Sequence, residues 1–218
     1  MKAFTKPAHF DANLIVIGAG SAGLVSAYIA AAVQAKVILI EKHRMGGDCL
    51  NTGCVPSKAL IRAARFIHQA GQSKALGIKH TRVEFDFADI MQRIHDVIAR
   101  IEPHDSIERY SRLGVDVIQG KARLTGPWSV EVDGRTLNAR NIIIAAGAAP
   151  LIPPIKGIDQ IEPLTSDNLW GLKELPGRLL VLGGGPIGCE LAQSFNRLGS
   201  KVTQVEQLPQ LLAREDEE

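Results

Sequence analysis

The feature that most constrains the fold is a glycine pattern that occurs twice. An apolar stretch, Leu14–Ile17, runs directly into GAGSAG, and a helix-forming segment and a second apolar stretch ending in Glu41 follow. A third apolar stretch, residues 179–182, runs into GGGPIG, and the predicted strand after the next helix ends in Glu206. The second copy lies 165 residues after the first, as positions 18 and 183 and positions 41 and 206 show. A strand, a G-x-G-x-x-G turn, a helix and a strand with a terminal acid are typical of a dinucleotide-binding βαβ unit.

Each glycine of such a turn has its own physical role. Gly18 makes the tight turn, Gly20 lets the backbone approach a pyrophosphate, and Gly23 packs the helix on the strand, while the acid accepts ribose hydroxyls. A merely structural glycine turn is the alternative, and the strand, helix and acid in register argue against it. The predicted nucleotide-binding residues are Gly18, Gly20, Ser21, Ala22, Gly23, Glu41 and Lys42 in the first copy, and Gly183, Gly185, Pro186, Ile187, Gly188 and Glu206 in the second.

Two cysteines lie between these units, in the segment GGDCLNTGCVPSK at positions 46–58. Pro56 suits the first turn of a helix, because its φ is fixed and it has no backbone N–H to lose. Cys54 is therefore expected at a helix N-terminus, where the macrodipole and the free N–H groups favour an anion. Lys58 falls on the same helical face and adds positive charge. This setting favours a thiolate, and thiolate character controls cysteine reactivity.

The spacing of Cys49 and Cys54 leaves alternatives open. They could form a structural disulfide, which would contribute only about 2 kcal/mol because the loop is short, or be two unrelated core cysteines. A zinc site would need a second pair of ligands, so no metal site is predicted. The spacing alone supports a redox pair and a structural role about equally.

Composition argues against several classes of function. The formal net charge is +2 and no Lys/Arg cluster interleaves with aromatic residues, so nucleic-acid binding is not predicted. No run of 18 apolar residues occurs, so no membrane span is predicted. Met1–Asp11 lacks the apolar core of a secretory signal, and three cysteines in such a chain indicate a reducing compartment. The predicted location is cytoplasmic.

The remaining segments predict an α/β fold. Helices are expected over residues 59–69 and from Phe85 to about Arg100, with a loop over 71–81 between them. Prolines at 150, 153 and 154 indicate a stiff linker and a domain boundary. Short strands, with a hairpin turn at Asp133-Gly134, are expected over 115–118, 121–124, 129–132, 136–139 and 141–145.

Together these motifs resemble those of the class I pyridine nucleotide–disulfide oxidoreductases, which include dihydrolipoamide dehydrogenase, glutathione reductase and mercuric reductase. The resemblance extends over the whole chain, and GGDCLNTGCVPSK and IIIAAGAAP are its most specific segments. It implies a Rossmann-like FAD-binding domain over residues 1–150, with a parallel sheet and a β-meander. It also implies an incomplete Rossmann-like NAD-binding domain, with its linker, over residues 151–218.

By matching positions, the resemblance assigns roles to the site residues. Cys54 would face the flavin, and Cys49 would be the interchange thiol that meets the substrate. Lys58 would lie near flavin N5 and pair with Glu190, and these four residues are the predicted catalytic set. The further FAD-binding positions it implies are Gly47, Asp48, Cys49, Cys54, Lys58, Ala122, Ala145, Ala146 and Gly147.

The implied activity is electron transfer from NADH through FAD to the Cys49–Cys54 disulfide and on to a small disulfide, most like the lipoamide substrate of dihydrolipoamide dehydrogenase. A mercuric reductase-like enzyme acting on Hg(II), or a non-catalytic FAD-binding fragment or redox sensor, is the alternative. Glu206 is followed by Gln207 without an adjacent arginine. Because an acid accepts a ribose 2′-OH and repels a 2′-phosphate, NADH is predicted over NADPH.

Some positions depart from the family pattern. Asp48 stands where many relatives carry an uncharged residue, Ala146 replaces a threonine, and Pro186 stands where some relatives have a gating aromatic. The chain ends at residues 214–218, so we expect a truncated form without the dimerisation domain and its His–Glu pair. A homodimer is therefore expected for the full-length family only. Cys189 is expected to be a small core residue.

Overall fold

The structure is a computed structural model that describes residues 4–213 and 215–216. The predicted chain end at 214–218 therefore lies mostly outside the described residues. The strands are β1 (Ala12–Ile17), β2 (Val37–Glu41), β3 (Val115–Gln119), β4 (Arg123–Gly126), β5 (Ser129–Val132), β6 (Arg135–Ile144), β7 (Arg178–Leu182) and β8 (Lys201–Val205). The α-helices are α1 (Ser21–Ala32), α2 (Gly47–Asn51), α3 (Cys54–Gly71), α4 (Phe87–Ile101), α5 (Ile107–Arg112) and α6 (Pro186–Arg197).

The chain divides into two compact units. The first contains Met1–Gly53 and Ile98–Pro153, and the second contains Cys54–Val97 and Pro154–Glu218. Both units are discontinuous in sequence. The functional division at residue 150 remains a prediction.

The first unit is built on a six-stranded sheet with the order β3-β2-β1-β6-β5-β4. Strand β1 is parallel to β2 and β6, and β2 is parallel to β3. Strands β4, β5 and β6 form an antiparallel meander. The ten-residue β6 belongs to both parts, because its first half pairs with β5 and its second half with β1.

Strand β6 corrects one prediction. Separate strands were expected at 136–139 and 141–145, with Arg140 between them. The backbone is instead extended without a break from Arg135 to Ile144. The polar side chains do not end the strand, since the main-chain hydrogen bonds to β5 and then to β1 hold it.

The apolar character of β1 follows from burial on both faces. Leu14 and Val16 pack with Leu24 of α1 on one face. Ile15 packs on the other face with Val130 and residues of the meander. A parallel strand covered on both sides reads as a continuous apolar run rather than as an alternation.

Helix boundaries also differ from the predictions at several points. Helix α3 begins at Cys54 rather than at residue 59, as the position of Pro56 required. The predicted loop at 71–81 contains a 3₁₀ turn over Ser73–Leu76, and β4 begins two residues later than expected. These shifts are typical of element ends, where single-sequence patterns are least informative.

The second unit contains the second βαβ element. Strands β7 and β8 are parallel, and α6 connects them. Helix α3 packs along α6, and the ring of Phe87 at the start of α4 lies 6.0 Å from that of Phe195. The predicted class is therefore confirmed: an α/β protein with a Rossmann-like parallel sheet and meander, followed by a second βαβ element. None of the helices in the described ranges is both long and apolar enough to cross a membrane.

We predict that Ile15→Ala lowers the free energy of unfolding of the first unit by about 2–5 kcal/mol, because the cavity it leaves is enclosed on both faces of the sheet. Ile15 is 0% exposed, whereas Ile29, on the outer face of α1, is 57% exposed. Ile29→Ala is the matched control and should change stability by less than about 0.5 kcal/mol. Urea unfolding followed by circular dichroism compares the two, and equal losses would contradict this description of the core.

Candidate functional site

The first glycine turn joins β1 to α1 through close backbone packing. Gly18 has φ +102°, and a Cβ there would collide with the carbonyl oxygen of Ala145. A Cβ on Gly23 would overlap the carbonyl oxygen of Gly18. The amide of Gly18 also donates to Ile40 O at 2.8 Å, which ties the turn to β2. Side chains are therefore excluded at both glycines by the fold itself.

Gly20 differs from these two glycines because there is room beside it. A Cβ there would have only the Cα of Gly47 nearby, at 3.7 Å. Gly20 caps α1 without a side-chain hydrogen bond, so the amides of Ser21 and Ala22 begin the helix uncovered by a capping group. A helix N-terminus of this kind binds phosphate through its N–H groups and its dipole. The turn thus fits the pyrophosphate of a dinucleotide.

Glu41 is held in place by backbone amides. Its Oε2 accepts from Ala19 N and its Oε1 from His43 N, both at 2.7 Å. The carboxylate is only 8% exposed. Because each carboxylate oxygen can accept more than one hydrogen bond, the group can still receive a ribose hydroxyl. The next residue, Lys42, is exposed.

The second turn repeats this arrangement 165 residues later. Gly183 N donates to Val205 O at 2.8 Å. Glu206 accepts from Gly184 N at 2.5 Å and from Leu208 N at 2.9 Å. A Cβ on Gly188 would collide with the carbonyl oxygen of Gly183. The amides of residues 19 and 43 donate to Glu41, and those of residues 184 and 208 donate to Glu206. These donors were not among the predicted residues, although the 165-residue repeat relates one pair to the other.

The start of α6 has its own features. Gly185 caps the helix without a side chain, and Pro186 occupies the first turn. Ile187 is exposed beside it. Cys189, expected in the core, is only half-buried; its thiol donates to Gly184 O at 3.4 Å and accepts from Gln204 Nε2 at 3.5 Å.

The hydrogen bonds to Glu206 lower the pKa of its carboxyl group. The Leu208 amide contributes most, and the Gly184 amide adds to it, because both stabilise the ionised form. The acid at the end of β8 is therefore kept charged. A charged acceptor there suits a ribose hydroxyl better than a phosphate.

Cys49 lies half-buried in α2 of the first unit. The loop before it is held by Asn51, whose Nδ2 donates to Met45 O at 3.0 Å and to Gly47 O at 2.8 Å. The carbonyl oxygen of Asp48 accepts from Thr52 N at 2.9 Å and from Gly53 N at 2.5 Å. These bonds make a compact turn that ends the unit directly before Cys54.

Cys54 is the exposed first residue of α3, in the second unit. One turn later, Lys58 Nζ binds both carboxylate oxygens of Glu190, at 2.8 and 2.9 Å. The two side chains are 61% and 38% exposed, so the direct energetic contribution of this ion pair to stability is small. Its consequence is geometric, because it links the helix that begins at Cys54 to the helix that begins at the second glycine turn.

The other predicted positions line the first unit. Ala122 packs on the core between the parallel strands and the meander. Ala145 donates from its amide to Ile17 O at 2.8 Å, and Ala146 and Gly147 follow it, exposed. Among the described residues, no group of three His, Cys, Asp or Glu side chains is arranged to hold a metal ion.

The fold and these turns define a class of protein: an α/β chain with two βαβ units of the dinucleotide-binding design. Comparison with known proteins identifies the family. The family model described as pyridine nucleotide-disulphide oxidoreductase matches residues 12–218. The chain belongs to this family, whose members bind FAD and use NAD(P)H.

Individual relatives cover most of this chain. Mercuric reductase of Bacillus cereus is 37% identical over 210 residues, which are 96% of this chain and 33% of that protein. Dihydrolipoyl dehydrogenase of Acholeplasma laidlawii is 34% identical over 94% of this chain and 62% of its own length. The HOCl-induced flavoprotein disulfide reductase RclA of Escherichia coli has a TM-score of 0.78 at 35% identity, over 94% of this chain and 44% of that one. The chain thus spans between 33% and 62% of the length of these relatives.

We predict that Gly23→Ala impairs stability and that Gly20→Ala impairs FAD binding. The Cβ at position 23 meets backbone atoms that cannot move away, so Gly23→Ala should destabilise the first unit by about 1–3 kcal/mol. Gly20→Ala should change stability by less than about 0.5 kcal/mol, yet weaken binding of FAD, because the new methyl group stands where a pyrophosphate would approach. Thermal unfolding and flavin retention measure the two effects, and a Gly20→Ala chain that binds FAD normally would contradict the second.

We also predict a pH-dependent role for Glu206. Because the pKa of the folded state is lowered, the stabilisation is complete above the ordinary carboxyl pKa and is lost as the pH falls through the lowered value. Glu206→Gln should therefore reduce the melting temperature most near neutral pH. The difference between the wild type and Glu206→Gln should shrink on acidification. A difference that stays constant between about pH 7 and pH 3 would contradict the assignment.

Proposed function

We propose that this chain carries the flavin- and nucleotide-binding half of a flavin-dependent NAD(P)H:disulfide oxidoreductase, most like dihydrolipoamide dehydrogenase. The observation that carries the proposal is the Lys58–Glu190 ion pair. It joins the helix that begins at a cysteine to the helix that begins at the second dinucleotide turn. A thiol and a nucleotide site joined in this way are what electron transfer between NADH and a disulfide requires.

FAD would be held by the first turn. The amides of Ser21 and Ala22 suit its pyrophosphate, Glu41 suits its adenosine ribose, and the segment from Gly47 to Lys58 would face its reactive ring. When bound, the flavin supplies two-electron transfer between NADH and the disulfide. The protein contributes orientation and electrostatics.

The thiol chemistry follows from the positions of the two cysteines. Cys49 as a thiolate attacks one sulfur of the substrate disulfide, forms a mixed disulfide and releases one substrate thiolate. Cys54 then attacks the Cys49 sulfur, so that the second substrate thiolate leaves and a Cys49–Cys54 disulfide forms. Two electrons pass from the cysteine pair to the substrate. We assign the second step to Cys54, which is the exposed first residue of α3.

The second turn supports NADH as the electron donor. Glu206 is oriented by two backbone amides and kept charged. A ribose 2′-OH donates to such a group, whereas a 2′-phosphate is repelled by it. Gln207 carries no charge that could compensate. We therefore propose a preference for NADH over NADPH.

A second candidate is a mercuric reductase-like enzyme with Hg(II) as its substrate. The 37% identity to the Bacillus cereus protein of that name is compatible with it. A third candidate is a redox sensor or a non-catalytic FAD-binding fragment. Assays with NADH and lipoamide, and separately with NADH and Hg(II), distinguish the three.

We predict that the purified chain, mixed with FAD, shows flavin absorption and a new long-wavelength band after anaerobic addition of NADH. Such a band reports a thiolate against the flavin. Cys49→Ser should keep the band and lose disulfide reduction, because only the interchange thiol is missing. Cys189→Ser is the matched control and should keep both, since a hydroxyl can form the same hydrogen bonds.

Two results would contradict this proposal. Full disulfide reduction by Cys49→Ser would show that the roles of the cysteines are wrong. Bound flavin without any response to NADH or to a chemical reductant plus lipoamide would favour the non-catalytic fragment.

A further inference from the structure

A polar cavity lies between α3 and α6 in the second unit, apart from both glycine turns. Its volume is about 440 Å³, within the range of small-molecule sites. The residues that line it are Ile61, Arg65, His68, Gln69, Gln72, Gln193 and Arg197.

The two helices run side by side in the same direction at this cavity. Lys58 contacts Glu190, 132 residues later. Ile61 and Gln193, and Arg65 and Arg197, line the cavity with the same separation of 132 residues. The cavity therefore lies one to two helical turns beyond the Lys58–Glu190 ion pair, along the same contact between α3 and α6.

The lining has one sign of charge. Arg65 and Arg197 are cationic, and His68 and the glutamine amides add further N–H donors. No carboxylate lines the cavity, and neither arginine takes part in an ion pair within the described part of the chain. The proposed redox chemistry uses none of these residues.

This chemistry fits an anion with several oxygen acceptors. Guanidinium groups bind phosphate and carboxylate oxygens in pairs, and amide groups complete the hydrogen bonds. The C-terminal halves of both helices face this region, so their dipoles do not favour an anion. The side chains would have to supply the attraction.

We propose that the cavity is a binding site for a small phosphate-bearing molecule. One phosphate group contacts Arg65 and Arg197 at once, and the bound molecule holds α3 against α6. Because α3 begins at Cys54 and α6 at the second glycine turn, such a ligand stabilises the same pairing of helices as the Lys58–Glu190 contact. The site stands independently of whether the chain reduces disulfides.

The probe is inorganic pyrophosphate, measured by isothermal titration calorimetry on the full chain at low ionic strength. Pyrophosphate can also bind the glycine turns, so the test compares variants. Arg65→Gln/Arg197→Gln should weaken binding at least about tenfold, since each arginine supplies charge-assisted hydrogen bonds. The control Arg62→Gln/Arg93→Gln removes the same charge from exposed positions outside the cavity and should bind as the wild type does.

A second cavity variant tests the proposal if Arg65→Gln/Arg197→Gln does not fold. Gln193 is exposed, so Gln193→Glu should keep the fold and repel the anion. Pyrophosphate should raise the melting temperature of the wild type and of the control by more than that of either cavity variant, in which only the glycine turns remain to bind it. The proposal is overturned if the wild type does not bind, if the cavity variants bind as tightly as the wild type, or if the control loses as much affinity as the cavity variants.

Discussion

The absence of a side chain at Gly23 and Gly188 is the constraint on which both nucleotide-binding units depend. At each position the helix lies so close to the preceding strand that a Cβ would collide with the carbonyl oxygen of the first glycine of the turn. This close approach brings the helix N-terminus to the end of the strand. It also lets the next strand's acid, Glu41 or Glu206, reach the second amide of the turn. One packing contact thus places both the amides that suit a phosphate and the acid that suits a ribose.

The two units use this shared design in different surroundings. In the first, both faces of β1 are covered by helix and meander, and Ala145 closes against Gly18. In the second, the sheet of the described residues consists of β7 and β8, and Leu180 and Val205 are exposed. The same local sequence therefore builds the same turn without requiring the same sheet around it, because the hydrogen bonds that both copies share join the turn to the second strand and to the acid at its end.

The helix that begins at Cys54 is positioned by packing as well as by an ion pair, since Pro56, Leu60 and Ala64 are buried. Helix α3 carries Cys54 at its first residue and Lys58 one turn later, and Glu190 holds that lysine from α6. The ion pair is exposed, so its value lies in the orientation of the two helices. Arg65 and Arg197, farther along the same pair of helices, form no ion pair within the described residues, and the proposed anion would pair with both.

Much of this protein could be predicted from the sequence by itself. The glycine turns, their acids, the helix that begins near Pro56 and the α/β class are local patterns, because each depends on backbone conformation within one βαβ unit or one helical turn. The continuity of β6 and the amide donors to Glu41 were decided by tertiary structure, since strand pairing overrode the polar break at Arg140. The contact between Lys58 and Glu190 joins residues far apart in the chain, and it was predicted only through the resemblance to the family. Only the packing of α3 on α6 places their charges together, and no periodicity or spacing encodes it.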